Sequence, residues 1–119
     1  MADAPASQRL ETLRKGDWET ALAQGSAHRV ALKDAWVLRL EVACQPDTLA
    51  RAVAAFKTPA DLFIVPLAMK DGRTCRQVCF GRFASEAEAQ AALSQLPALF
   101  TASGSRPRPF QASALPEKQ

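Results

Sequence analysis

From Trp36 the chain alternates. Trp36, Leu38, Leu40 and Val42 are apolar at every second position, with Arg39 and Glu41 between them. A period of two is the mark of a half-buried strand. At Gln45-Pro46-Asp47 the period changes. Leu49, Val53 and Phe56 then stand four and three apart, one apolar stripe of a helix over residues 46–57. Pro46 sits at the first helical position, where its missing N–H is harmless. Asp47 places negative charge in the first turn, and Thr58-Pro59 closes the helix. The same pattern then recurs. Thr74 to Gly81 reads as a strand, with Val78 and Phe80 on one side and Cys75, Gln77 and Cys79 on the other. Ser85 and Glu88 form a capping box for a second helix, whose buried stripe is Ala89, Ala92, Leu93 and Leu96. Two strand–helix halves this short must share one sheet.

The segments between and after them complete it. Residues 61–70 predict a strand with Leu62, Ile64 and Leu67 toward the core. Pro66 confines it to an edge or marks a break. Lys70-Asp71-Gly72-Arg73 is a turn, and Gly81 marks a bulge or bend. Residues 101–105 read as a loop. Residues 106–112 form a short fourth strand, held to an edge by two prolines. The order β-α-β-β-α-β predicts an α+β, ferredoxin-like fold. Its four-stranded antiparallel sheet carries both helices on one face, in the strand order 4-1-3-2. The opposite face is expected to be open, and so the natural place for function.

Residues 36–112 are therefore the predicted domain. Residues 1–35 read as a flexible or short-helical extension. Leu10 and Leu13 lie at helical spacing, Gly16 interrupts, Asp17 caps a second piece that packs weakly through Trp18, and Gly25 ends it. Residues 113–119 read as a flexible tail. A chain of 119 residues that is 48% hydrophobic has enough for one domain with a real core. The net charge of +3 is spread along the chain, which argues against a committed nucleic-acid binder. The start, MADAPASQRL, has no basic segment followed by an apolar run, so no signal peptide is visible. No stretch is apolar enough to span a bilayer, and no direct membrane insertion is expected.

Catalytic chemistry finds little support. His28 is the single histidine and is expected at the surface. It has no partners for a triad within the predicted domain. Capping accounts for Glu86 and Glu88. No phosphate loop, dinucleotide fingerprint or metal set is present, and no cofactor is expected. The three cysteines are an odd count. They are either small buried apolar side chains or one disulfide plus a free thiol. Cys75 and Cys79 lie four apart on a strand, roughly 13 Å, too far to bond or share an ion. Cys44 ends the first strand and Cys75 begins the third, so that pair is the disulfide candidate. Simple alternation puts the two on opposite faces unless a bulge intervenes. The candidate binding face carries Val37, Arg39, Glu41, Gln77 and Cys79, with Arg76, Arg73 and Arg82 nearby. It is a polar, mildly basic surface without a ladder of exposed aromatics, which disfavours base stacking.

The stretch Val78-Cys79-Phe80-Gly81-Arg82-Phe83, followed by the alanine-rich helix from Ser85 to Leu96, resembles the sporulation-related repeat, or SPOR domain. Paired with the first half, VLRLEVACQPDTLARAVAAF, the resemblance covers residues 36–112. It implies a non-enzymatic bacterial module of the cell envelope or periplasm, part of a longer protein and tied to cell division. Such a module binds peptidoglycan glycan strands stripped of stem peptides through its sheet face. Arg39 stands where the family commonly has glutamine, and Glu41 where it has glycine. Gln77 and Cys79 take the polar third-strand positions. The competing reading is a protein-interaction or dimerisation module that uses the sheet face or an edge strand.

Overall fold

A computed structural model describes residues 2–102 and 106–119. The loop expected at 101–105 therefore falls largely outside the described residues. Helices α1 (Ala6–Arg14) and α2 (Trp18–Leu32) precede β1 (Trp36–Ala43). After β1 come α3 (Pro46–Ala54), β2 (Leu62–Ala68), β3 (Thr74–Phe83), α4 (Glu86–Ala91) and β4 (Arg108–Gln111). The strands form one antiparallel sheet in the order β2-β3-β1-β4, which is 4-1-3-2 read from the other edge.

One face of the sheet is covered by α3 and α4. Leu38, Leu40, Leu62, Ile64 and Val78 point from the strands into this layer and meet Leu49, Val53 and Ala89. Phe56 links the rings of Phe80 and Phe100, with centroids 5.7 and 5.5 Å away. Pro46 opens α3 as expected. At α4 the Ser85 hydroxyl accepts from the Glu88 N–H at 3.2 Å. Glu88 reaches back to the Ala84 N–H at 2.8 Å, one residue beyond the usual capping-box partner. The helix is shorter than its composition predicts. It tightens into a 3-10 turn at Ala92–Gln95, ahead of Pro97, and still buries Ala89, Ala92 and Leu96.

Residues 2–35 are mainly helical, one of the two expected alternatives, and they pack into the domain. Leu10, Leu13 and Ala21 lie in the same core as α3 and α4. Asp17 does cap α2, accepting from the Thr20 N–H at 3.3 Å. Gly25, however, does not end that helix, which runs on to Leu32. A glycine reads as a stop when it lies past the last buried turn; here it lies inside one. A Cβ at Gly25 would stand 1.8 Å from the carbonyl oxygen of Ile64, so α2 packs backbone to backbone on β2.

That contact is one of four that close the outer edge of β2. The buried Arg9 donates to the Leu62 carbonyl at 3.4 Å and to the Ala4 carbonyl, and pairs with Asp61. Gly25 covers Ile64, and Pro66 has no donor to offer. Ala68 pairs in parallel with Lys118: its N–H donates to Glu117 at 2.9 Å, and its carbonyl accepts from Gln119 at 2.7 Å. No free edge is left there for another strand among the described residues. The other edge is the four-residue β4, which contains Pro109.

The tail is accordingly not loose. After β4 the chain makes a 3-10 turn at Ala112–Ala114 and crosses the second face of the sheet. Val37, Phe63, Val65 and Cys79 meet Leu32 of α2 and Ala112 and Leu115 there, forming a second apolar layer. Arg29 ties the crossing down, donating to the Ala112 carbonyl at 3.0 Å and also to that of Leu115. The second face is thus largely covered, where the alternation pattern predicts an open one.

Candidate functional site

Two irregularities in the β1–β3 ladder decide which side chains share a face. Between Trp36↔Phe83 and Leu38↔Phe80 an extra residue sits on β3, at Gly81 with φ of 82°. Only glycine takes that backbone readily. The bulge puts Phe80 and Phe83, three residues apart, on the same side, ring centroids 6.3 Å apart. Between Arg39↔Cys79 and Glu41↔Val78 the extra residue is Leu40, on β1. Each bulge reverses the alternation beyond it.

The second bulge splits the predicted binding face. Val37, Arg39, Gln77 and Cys79 stay on the second face. Glu41, now opposite Val78, turns to the helix-covered side, and Arg76 is there too. Glu41 Oε1 and Arg76 Nε are buried there without hydrogen-bond partners among the described residues. Burial raises the Glu41 pKa, with nearby Arg51 acting against the rise. The same reversal brings Cys44 round to the side of Cys75. The two are disulfide-bonded, S–S 2.04 Å.

Burial removes three more candidates. Val37, Gln77 and Cys79 are each 0% exposed. Burial pushes the Cys79 thiol up to about 12, so it stays a protonated thiol at neutral pH. Gln77 is fully engaged. Its Nε2 donates to the Pro116 carbonyl at 2.7 Å and the Pro66 carbonyl at 3.3 Å. Its Oε1 accepts from Arg39 at 3.1 Å. A buried amide on a sheet face is tolerable because the crossing tail brings it a carbonyl.

Of Val37, Arg39, Gln77 and Cys79, the predicted residues that stay on the second face, Arg39 is the one that remains reachable. It is half-buried, and β4 supplies its neighbours. Arg39 pairs across the ladder with Arg108, and Val37 with Phe110. The Arg39 guanidinium lies 4.8 Å from the centre of the Phe110 ring, and that of Arg108 lies 5.3 Å from it. Two cations thus flank one half-buried aromatic ring. Burial lowers the Arg39 pKa; Arg108 adds to this and Cys79 opposes it. Neither arginine is paired with a carboxylate among the described residues. Phe110 and Arg108 were legible only as part of an edge strand restricted by prolines. Their place beside Arg39 comes from the β1–β4 register.

His28 is buried rather than at the surface, because α2 turns it inward. Its Nδ1 lies 2.9 Å from Asp3, and its ring meets Phe63 edge-on at 5.0 Å. Among the described residues no three His, Cys, Asp or Glu side chains gather as a metal-ligand set. No helix among them is long and apolar enough to cross a membrane. Comparisons of the chain with protein-family models, curated proteins and solved structures return no match.

Proposed function

We propose that this chain is a non-catalytic module that binds peptidoglycan glycan strands, in the manner of the SPOR domains its second half resembles. Its site is the uncovered remainder of the second sheet face, centred on Phe110 between Arg39 and Arg108. The observation that carries the reading is that arrangement: a ring flanked by two guanidinium groups without carboxylate partners among the described residues. The part of the Phe110 ring that the two guanidinium groups leave exposed offers apolar surface to the C–H groups of a sugar. Guanidinium groups donate to hydroxyls, amide carbonyls and carboxylates around it. The four-stranded antiparallel sheet with α3 and α4 on one face supports this reading, in which the fold is ferredoxin-like, as in the family. Glycan strands freed of stem peptides, in a bacterial cell envelope, are the ligand this reading names.

The test is co-sedimentation with purified peptidoglycan before and after an amidase removes the stem peptides. The chain should pellet, more strongly after amidase. Replacing Arg39, Arg108 or Phe110 by alanine should each weaken binding roughly tenfold. Absence of pelleting with either preparation sinks the reading. Pelleting untouched by all three substitutions moves the site elsewhere.

A further inference from the structure

A cleft of about 670 Å³ opens between α4 and the segment leading into β4. Glu86, Gln90 and Leu93 line one wall, and Arg106, Pro107 and Arg108 the other. Its size is that of a small-molecule site. Glu86 and Gln90 are four apart on α4, on the same helix face, while Ala89 and Ala92 turn into the core. Both are exposed, and helix capping uses Ser85 and Glu88 instead. Glu86 also suits the first turn of α4 as a carboxylate, whereas Gln90 has no part in the capping.

The cleft and the site on the sheet face share Arg108. It lines the cleft, and its guanidinium stands over Phe110. A ligand lying on Phe110 and extending past the short β4 edge would enter between α4 and Arg106. Resting on the glycan reading, we infer that this cleft is a second subsite for the same polysaccharide, reached around the β4 edge. The lining suits an N-acetylated sugar. Gln90 can both donate to and accept from an acetamido group, Glu86 accepts from hydroxyls, and Leu93 offers apolar surface to the acetyl methyl. The two arginines suit a carboxylate-bearing unit of the same chain.

The experiment compares peptide-free glycan oligosaccharides of two, four and eight sugars by titration calorimetry, on the whole chain. Affinity should rise with length once the ligand spans both subsites. The double variant Glu86→Ala/Gln90→Ala should bind the two-sugar ligand as the parent does and lose about 3- to 10-fold on the eight-sugar ligand. Gln90→Trp, which fills the cleft, should act likewise. Both positions are exposed, and unchanged short-ligand affinity verifies the fold in the same experiment. Unchanged long-ligand affinity in these variants overturns the cleft subsite and leaves the sheet-face site standing. An equal loss for short and long ligands also overturns it, since the two places would then not be separate subsites. If no length binds the parent chain, the glycan reading fails and takes the subsite with it.

Discussion

The two faces of the sheet are buried by different means. The first is covered by α3 and α4, each contributed by the crossover between strands that border it. Most of its apolar residues face these two crossover helices, with Leu10, Leu13 and Ala21 of the N-terminal helices joining at the margin. The second face is covered by the end of α2 and the segment around Ala112 to Leu115, contributed from opposite ends of the chain. The first layer is mainly hydrocarbon, with Glu41 and Arg76 half-buried where β1 and β3 run beyond the Leu40 bulge. The second contains Gln77, held by carbonyls of Pro66 and Pro116, and a histidine packed on Phe63. The difference teaches that a face built from local crossovers announces itself in periodicity. A face closed by remote segments looks open in sequence, because alternation records which residues point one way, not what arrives to meet them.

The comparison can be broken hardest at Gly25. A methyl there collides with the Ile64 carbonyl, so Gly25→Ala should drive α2 off β2 and cost about 4 kcal/mol or more. Chemical denaturation measures it. A cost below ~1 kcal/mol would mean that α2 is only loosely laid on the edge. Next comes the disulfide, which joins β1 to β3 beyond the Leu40 bulge. Cys44→Ser/Cys75→Ser opens a crosslink spanning 31 residues and should cost about 3–4 kcal/mol. Thermal melts with and without reductant should show the parent chain falling to the level of the variant, and the variant unmoved. The smallest effect sharpens the contrast from the helix side. Glu41 has its pKa raised by burial, so the folded state binds its proton more tightly than the unfolded state does. That contribution is fully present below the ordinary carboxylate pKa and is lost as pH rises through the raised value. Glu41→Gln should therefore raise Tm slightly at pH 7, with the gap closing toward pH 4. A gap independent of pH would show that the carboxylate is not charged at a cost there.

Much of the architecture was legible before any coordinates. Pro46, the Ser85–Glu88 cap, the edge character of Pro66 and the irregularity at Gly81 are local signals, and each depends on a residue and its near neighbours. The candidate site was far less legible. Strict alternation grouped Glu41 with Arg39, and one extra residue at Leu40 separated them. Cys79 and Val37 looked like surface positions because the end of α2 and the segment around Ala112 to Leu115 are brought over them only by the tertiary fold. Phe110 carried no signal of its own beyond an apolar residue beside prolines. Only its pairing with Val37, beside Arg39 and Arg108, makes it the centre of a site.

By itself the sequence determined the order of strands and helices, the four-stranded antiparallel sheet, and which stripe of α3 and α4 turns inward. These come from dihedral preference and from the 2.0 and 3.6 periods, which act within a few residues. The tertiary structure alone decided that the N-terminal helices and the C-terminal segment belong to the domain. It also brought Cys44 to Cys75 and left Arg39, Phe110 and Arg108 as the reachable remainder of a covered face. Those outcomes depend on ladder register and on contacts between distant segments, where one bulged residue or one missing Cβ changes the result and leaves the local pattern untouched.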